Sequence, residues 1–310
     1  MSIDGFFAVD KLSGITSRKV AVRVGQIFKC KAGHCGTLDP LATGVLLVCV
    51  GRARLLSRFL SALDKRYRVT AVFGTVTDTY DVTGRVVRQR DSSGLTSDEV
   101  EEALERLTGE ILQVPPPFSA VKSGGKPLYT YARRGVAVKL PERKVNIDAI
   151  RLIDFRHENS KAIAELEVSC SKGTYIRSLV NDLGEILGHG ACVLALRRTS
   201  VGKFGEERLI PYELVRLGAK DELIGRLIGI EEATYFLPSS RVNPDGEKAV
   251  NFGKPLDASM IAEICGIERV SGNVRVLNEA GKVIAIYGPP KEGDPENIVA
   301  RAVRVLKTDS

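Results

Sequence analysis

The sequence has few of the features that would tie a protein to a membrane, a metal ion or an oxidising compartment. Its six cysteines form no C-x-x-C pair, so neither a disulfide framework nor a zinc ribbon is indicated. Cys30, His34 and Cys35 lie close together, but a fourth ligand at zinc-like spacing is missing. No apolar run reaches the roughly 18 residues of a membrane span, and the N-terminal residues lack the basic segment of a secretion signal. We therefore expect a soluble, untargeted, cytoplasmic protein without a metal.

The composition is that of a globular protein with unevenly placed charge. Of the 310 residues, 44% are hydrophobic and 27% are charged, which suits one large domain and a small one. Residues 11–68 hold twelve Lys and Arg against two acids, and residues 122–144 hold seven against one. Because the whole chain carries a net charge of only +7, the remainder is net acidic. Positive charge concentrated in this way indicates a polyanion bound against one face.

The segment GHCGTLDPLATGVLL, residues 33–47, which we call the Asp39 loop, combines glycines and a proline with the start of an apolar run. Glycine and proline are incompatible with a continuing helix, whereas the run at residues 45–50 is typical of a buried strand. Asp39 is therefore expected on a loop at the mouth of a sheet. An isolated Asp-Pro pair is most often a turn, so spacing alone does not make Asp39 catalytic.

The Asp39 loop closely resembles the signature G-H-x-G-x-L-D-P-x-A-x-G-V-L of the TruB family of pseudouridine synthases, which modify a uridine in the TΨC arm of tRNA. Every fixed position of that signature is present, with Cys35 at a variable one. The resemblance implies that Asp39 is the essential catalytic residue. It also implies that His34 helps to hold the loop when the target base is extruded from its stack.

Other strings of the chain resemble further family motifs in the same order. They are K-x-x-G-x-T-S at residues 11–17, K-x-Y ending at Tyr67, and K-G-T-Y-I-R-S-L at residues 172–179. The resemblance implies that Tyr67 stacks on the extruded base and that Tyr175 and Leu196 line the uridine pocket. Arg177 is predicted near a helix N-terminus, where a cation is unfavourable without a carboxylate partner, and Asp39 is the partner we expect.

Residues 115–145 change character, since they are rich in proline, glycine, lysine and aromatic residues. Gly124-Gly125-Lys126 lacks the spacing and the following Ser or Thr of a Walker A loop. We interpret the segment as a basic flap that orders over RNA phosphates on binding, and family members carry a comparable insertion. Its candidate RNA-binding residues are Lys122, Lys126, Arg133 and Arg134.

The predicted fold class is α+β, with a mixed-sheet catalytic domain at residues 1–238 and a small PUA-like β-barrel at residues 239–310. Alternating or apolar patterns predict strands at residues 6–10, 67–74, 161–170, 274–277 and 283–287. A capping box at residues 96–99 predicts a helix that continues until Gly109 ends it. Residues 206–232 are predicted to be helical, acidic and turned away from RNA.

These patterns and the resemblance together predict an isomerase that converts uridine 55 of the tRNA TΨC arm to pseudouridine. The reaction detaches uracil and rejoins it through C5, so no cofactor or metal is expected. Asp39 is either the nucleophile at C1′ or a base at the sugar. We expect tRNA as the partner and a monomer without an obligate protein partner. Two alternatives remain: a non-catalytic PUA-type RNA-binding protein or RNA chaperone, and a guide-RNA-dependent pseudouridine synthase.

Overall fold

The strands and helices are those of a computed structural model, which describes residues 3–119, 122–123, 126–127, 130–131, 140–264 and 271–306. The strands of the N-terminal part are β1 (Gly5–Lys11), β2 (Ala32–His34), β3 (Thr43–Val50), β4 (Lys65–Phe73), β5 (Thr75–Thr77), β6 (Val86–Gln89), β7 (Gly109–Gln113), β8 (Lys122–Ser123), β9 (Lys126–Pro127), β10 (Arg143–Glu158), β11 (Lys161–Cys170), β12 (Ala191–Val201), β13 (Phe204–Gly205) and β14 (Ile210–Pro211). Those of the C-terminal part are β15 (Ser239–Val242), β16 (Leu256–Asp257), β17 (Ile261–Ile264), β18 (Val274–Leu277), β19 (Val283–Gly288) and β20 (Ile298–Val305). The helices are α1 (Ser17–Phe28), α2 (Ser57–Ser61), α3 (Ser97–Glu105), α4 (Ile176–Ile186), α5 (Tyr212–Leu217), α6 (Lys220–Ile224), α7 (Ile230–Ala233) and α8 (Pro244–Asn251).

A ten-stranded sheet organises the N-terminal part, in the order β14-β1-β3-β12-β4-β11-β10-β7, with β13 added to β12 and β2 to β3. The pairs β1–β14 and β3–β12 are parallel, whereas the other pairs of this sheet are antiparallel. The sheet is therefore mixed, as predicted. The strands expected from sequence are present as β1, β3, β4 and β11, and β11 has the predicted bounds.

Local capping explains where two of the helices begin. The hydroxyl of Thr16 accepts from the amide of Lys19 at the start of α1. The predicted capping box is present at α3, where the Thr96 side chain accepts from the Glu99 amide and the Glu99 side chain accepts from the Thr96 amide. The predicted end of α3 is wrong: the helix stops at Glu105, because Leu107 and Thr108 already turn the chain towards β7.

The helices of the N-terminal part cover a continuous apolar core. Its buried residues come from the central strands and from α1, α3 and α4. The predicted helical segment 206–232 is only partly helical, since its short helices α5, α6 and α7 are separated by turns and preceded by β14. The parallel pairing of β14 with β1 draws this segment into the sheet, which an isolated helical pattern does not reveal.

The C-terminal part forms a second, six-stranded sheet in the order β16-β20-β19-β18-β15-β17, which is barrel-like. The predicted strands 274–277 and 283–287 are its neighbours β18 and β19. The sheet packs against the N-terminal part through a shared apolar cluster that contains Phe6, Ile228, Val283, Ile286 and Leu306. Within the described residues, no helix is long and apolar enough to cross a membrane.

Candidate active site

Asp39 lies in the loop that connects β2 to β3. The amide of Ala42 donates to the carbonyl of Asp39 over 3.1 Å, which closes a turn around Pro40. Leu38 and Ala42 are buried in the main core, so they anchor the backbone of this turn. The side chain of Asp39 itself is 35% exposed. The sequence therefore places a carboxylate at an accessible point on an otherwise fixed loop.

Arg177 makes a bidentate ion pair with Asp39. Its Nε donates to Oδ2 of Asp39 over 2.9 Å, and its Nη2 donates to Oδ1 over 3.0 Å. Arg177 lies in the first turn of α4 and its side chain is only 5% exposed. The predicted contact is thus present, and it explains how a cation is tolerated at the unfavourable end of the helix dipole. Two parallel charged hydrogen bonds also fix the orientation of the carboxylate.

The rest of the Arg177 guanidinium is held by two other segments of the chain. Its Nη1 donates to the carbonyl of Thr79 over 2.8 Å, and its Nη2 donates to the carbonyl of Phe118 over 3.1 Å. The carboxylate of Asp81 lies 3.8 Å from Nη1. Arg177 therefore joins the Asp39 loop, the turn after β5 and the start of the predicted flap.

Asp81 is a site residue that sequence reasoning missed, because the composition of residues 77–84 indicates only a polar turn. Its Oδ1 accepts from the hydroxyl of Thr79 over 2.9 Å and from the amide of Thr83 over 3.0 Å, and Asp81 is 5% exposed. The available signal was the D-T-x-D-x-x-G string at residues 78–84, which places two acids in one short turn. The buried guanidinium of Arg177 therefore lies between the carboxylates of Asp39 and Asp81.

Two residues of the K-x-x-G-x-T-S motif form hydrogen bonds with the backbone of the Asp39 loop. The ammonium of Lys11, which is fully buried, donates to the carbonyl of Ala42 over 2.6 Å and to that of Pro40 over 3.2 Å. The hydroxyl of Ser17 donates to the carbonyl of Leu38 over 3.0 Å and accepts from the Leu38 amide over 2.9 Å. The backbone on both sides of Asp39 is therefore tied to β1 and α1. These hydrogen bonds show what the motif at residues 11–17 does in the fold, which the sequence alone did not reveal.

Tyr67 on β4 and Leu196 on β12 are both nearly buried, and they belong to the same core cluster as Leu38 and Ala42. Burial raises the pKa of Tyr67, while the positive charge of the Arg198 guanidinium acts in the opposite direction. The predicted stacking residue and the predicted apolar contact thus lie on adjacent strands near the loop.

Tyr175 immediately precedes α4, and its backbone is fixed by Gln113. The Tyr175 amide donates to the Gln113 side chain over 2.7 Å, and the Gln113 side chain donates back to the Tyr175 carbonyl over 3.1 Å. Burial raises the pKa of Tyr175, whereas the positive charge of Arg143 acts in the opposite direction. The backbone of Tyr175 is therefore held by Gln113 at the start of the helix that carries Arg177.

His34 ends β2, one residue before the loop turns away from the sheet. Burial lowers the pKa of His34, and the charge of Arg198 lowers it further, so the imidazole is held in its neutral form. Its Nδ1 is buried and makes no hydrogen bond to any residue that the structure describes. His34 therefore contributes a neutral imidazole to the Asp39 loop.

The predicted flap is described in part. Lys122 begins β8 and Lys126 begins β9, and the two strands form an antiparallel pair. Arg133 and Arg134 lie outside the described residues. The segment that leads into the flap reaches the site, since Phe118 accepts a hydrogen bond from Arg177.

The chemistry available at this site is that of carboxylates, aromatic rings and buried cations. In the part of the chain that the structure describes, no group of three or more His, Cys, Asp or Glu side chains is arranged to hold a metal ion. The described cysteines are free thiols, which are Cys30, Cys35, Cys49, Cys170 and Cys192.

Comparison with known proteins identifies the family. The model of the TruB family pseudouridylate synthase N-terminal domain matches residues 24–176, and that of the tRNA pseudouridylate synthase B C-terminal domain matches residues 177–222. The tRNA pseudouridine synthase B of Haemophilus influenzae strain Rd is 39% identical over 301 residues, which are 96% of this chain and 93% of the relative. The chain belongs to the TruB family. The tRNA pseudouridine synthase B of Syntrophobacter fumaroxidans is 41% identical over 308 residues, which are 98% of this chain and 97% of the relative.

The family predicted from the sequence motifs is thus confirmed, and it makes the protein a pseudouridine synthase, an isomerase. The pair at the centre of the site joins both matched segments, since Asp39 lies in the first and Arg177 begins the second. The boundary between the two models at residue 176 is not a boundary of the fold, because β12 of the second segment pairs with β3 and β4 of the first.

Solved structures support the predicted fold class. A Cbf5-Nop10-Gar1 complex aligns with a TM-score of 0.72 and 26% identity, covering 98% of this chain and 85% of the matched chain. An H/ACA RNP bound to a substrate RNA containing 2′-deoxyuridine gives a TM-score of 0.71 at 24% identity, with the same coverage, and shows likeness of fold alone. The α+β class with a mixed sheet and a barrel-like C-terminal sheet is thus confirmed.

Proposed function

We propose that this TruB-family enzyme converts uridine 55 in the T-arm of tRNA to pseudouridine and that Asp39 is its essential catalytic residue. The observation that carries the proposal is the bidentate pair between Asp39 and Arg177 on a loop anchored from three sides. The tRNA substrate is supported by the names of the relatives that match nearly the whole chain. The T-arm position rests on the resemblance of the Asp39 loop.

The reaction places a specific demand on the site. Uracil leaves C1′ with the electron pair of the N1–C1′ bond, turns, and bonds to C1′ through C5, after which C5 loses its proton and N1 gains one. Asp39 acts at the sugar, either by attack on C1′ or by removal of a sugar proton, and both routes need the ionised carboxylate. Arg177 pairs with both carboxylate oxygens and fixes their direction, while Asp39 stays partly exposed to the substrate side.

The remaining site residues receive the extruded base in this proposal. Tyr67 stacks on the uracil ring, while Tyr175 and Leu196 form the walls of the pocket. His34, whose imidazole is kept neutral by burial, holds the opened RNA beside the loop. Base-modifying enzymes extrude their target nucleotide in this manner because the reacting atoms are otherwise inaccessible in the stack.

The binding surface in this proposal combines the basic stretch 11–68 with the flap. Lys122, Lys126, Arg133 and Arg134 contact phosphates of the T-arm, and the C-terminal sheet, residues 239–310, is a PUA-like RNA-binding domain. A monomer without protein partners or a cofactor suffices, because all the chemistry is supplied by Asp39 and the pocket around it.

Incubation of the purified protein with an unmodified tRNA transcript, followed by mapping of pseudouridine at single-nucleotide resolution, tests the proposal. Pseudouridine at position 55 is expected, with none in a transcript that carries cytidine there. Tight binding without any pseudouridine would instead support the RNA-binding or chaperone alternative. Conversion that requires added guide RNA and partner proteins would support the guide-dependent alternative.

A further inference from the structure

Arg198 is a fully buried cation next to the Asp39 loop that the functions proposed above do not use. It lies on β12 with 1% of its surface exposed. In the sheet it is in register with Gly44 of β3 on one side and with Tyr67 of β4 on the other. Its backbone therefore stands between the end of the loop and the stacking tyrosine.

The side chain of Arg198 binds the backbone on both sides of the turn that carries Asp39. Its Nε donates to the carbonyl of Val45 over 2.7 Å, and its Nη2 donates to the carbonyl of Gly36 over 3.2 Å. Arg198 and Tyr67 lie directly opposite each other on the antiparallel strands β12 and β4, so their side chains project from the same face of the sheet. Gly36 and Val45 flank the turn that carries Asp39, so one guanidinium spans both ends of that turn beside the side chain of Tyr67.

The charge of Arg198 has no counter-ion of its own. Among the described residues, no Asp or Glu carboxylate lies within the 4.0 Å of an ion pair to it, whereas the neighbouring Arg197 pairs with Asp10 and Glu206. Burying an ion carries a large desolvation penalty, which hydrogen bonds to neutral groups offset only in part. A buried cation retained at this cost beside a reactive loop indicates a role beyond stability.

We propose that Arg198 is a positioning residue for the isomerisation, which couples the stacking tyrosine Tyr67 to the loop that carries Asp39. The planar guanidinium lies beside the side chain of Tyr67 and holds the carbonyls of Gly36 and Val45 at one fixed set of distances. This clamp keeps Asp39 and the aromatic ring at their working separation while the target nucleotide enters. The inference rests on the proposed function, since it assigns Tyr67 to the base and Asp39 to the sugar.

Lysine cannot replace this clamp, because a single ammonium does not reach both carbonyls with the fork geometry of a guanidinium. We expect Arg198→Lys to lower the single-turnover rate at saturating tRNA by about ten- to hundredfold, the cost of a small misplacement of reacting groups. Affinity for tRNA should change by less than about threefold, under 1 kcal/mol. Arg197→Lys is the matched control on the same strand, and it should leave the rate nearly unchanged.

A double-mutant cycle with Tyr67→Phe separates positioning from a merely structural effect. If Arg198 acts through the tyrosine hydroxyl, Arg198→Lys should lower the rate far less in the Tyr67→Phe background than in the wild type. Equal fold losses in the two backgrounds would overturn the proposal, as would a loss of affinity with an unchanged single-turnover rate.

A second readout does not depend on activity, so it distinguishes failure of this proposal from failure of the proposed function. The titration of Tyr67, followed by NMR of ring-labelled tyrosine and assigned with Tyr67→Phe, should move to higher pH in Arg198→Met, which removes the positive charge. An unchanged titration in a folded Arg198→Met protein would contradict the contact. If Arg198→Met does not fold, the cycle with Arg198→Lys decides.

Discussion

Lys11 shows how far single residues of the site depart from their behaviour in water. Its ammonium is buried among the carbonyls of Leu12, Pro40 and Ala42. Burial lowers the pKa of Lys11 to about 8, although the negative charge of Asp39 acts in the opposite direction. In the unfolded chain the group returns to an ordinary lysine pKa near 10.5.

This difference predicts a pH dependence of stability. Between about pH 8 and 10.5 the unfolded chain keeps the Lys11 proton that the folded protein has lost, so the group makes folding more favourable as the pH rises. Relative to Lys11→Met, the wild type should gain about 1 to 2 kcal/mol between pH 7.5 and 9.5, a range that covers part of the interval between the two pKa values. Urea unfolding at pH 7.5, 8.5 and 9.5 measures the gain.

Lys19→Met on α1 is the matched control for this experiment, because the Lys19 side chain is exposed in the folded protein and in the unfolded chain. Its stability difference from the wild type should stay flat over the same pH range. A flat difference for Lys11→Met as well would show that its ammonium is solvated in the folded protein.

At the residue scale, the sequence was sufficient to predict the contact between Asp39 and Arg177, because a cation at a helix start needs a carboxylate and the loop offers one. It did not predict the roles of Asp81 and Arg198. Asp81 depends on a turn that folds back onto α4, and Arg198 depends on the parallel pairing of β12 with β3. Both are long-range contacts, which a local pattern does not specify.

At the scale of elements, the geometry of the Asp39 loop depends on a close approach between β3 and β12. Gly44 has a φ of +94°, and a β-carbon there would collide with the carbonyl oxygen of Arg198. Only glycine fits a left-handed conformation with backbone directly against it. This explains why the loop must re-enter the sheet through a glycine.

Gly44→Ala should therefore lower the free energy of unfolding by about 2 to 5 kcal/mol, about 1 to 2 from the backbone conformation and about 1 to 3 from the collision. Gly109→Ala is the matched control, because Gly109 has a φ of +89° with open space where the β-carbon would stand. The control should show only the backbone contribution. Equal destabilisation of the two variants, measured by urea unfolding, would refute the close approach as the reason for Gly44.

Strands were easier to predict than helices in this chain. The alternation over residues 161–170 and the apolar run at 45–50 each gave a strand, because burial on one face or both faces fixes the period. The segment 206–232 was predicted to be helical throughout, yet β14 pairs with β1 and leaves only short helices around it. A segment can pair with the edge of a sheet through tertiary contacts, and the secondary-structure propensity of its own residues does not predict such contacts.

At the scale of the whole molecule, the C-terminal sheet is docked onto the N-terminal part. Arg275 donates to the carbonyl of Glu231 over 3.0 Å, and the amide of Val283 donates to the Glu231 carboxylate over 3.1 Å. β15 begins at Ser239, and this start supports the predicted domain boundary at residues 238 and 239, which stays a prediction. We expect the two parts to bind RNA as one surface.

The flap provides a test of how that surface attracts RNA. Reversal of four of its seven cations, Lys122, Lys126, Arg133 and Arg134, to Glu should weaken tRNA binding. The dependence of log affinity on log salt should flatten by about 0.7 to 0.9 for each phosphate that the variant no longer neutralises. Single-turnover rates at saturating tRNA should survive, because Asp39 and Arg177 lie outside the flap.

The control for the flap variant has the same change in net charge within the acidic stretch 206–232. It reverses the four cations of that stretch, which are Arg208, Arg216, Lys220 and Arg226. This control should keep the wild-type salt slope. A flap variant with an unchanged slope would mean that the flap charges are solvated and that residues 11–68 hold the RNA alone.

The central claim is that Asp39 performs the chemistry and is not merely a turn residue. Asp39→Asn keeps the size of the side chain and the turn, but it removes the charge that Arg177 holds. The most direct measurement follows pseudouridine formation at position 55 of a tRNA transcript by this variant, alongside its affinity for the same RNA. We predict no detectable pseudouridine, with affinity within about tenfold of the wild type, or 1.4 kcal/mol. Substantial pseudouridine formation by Asp39→Asn would contradict the account.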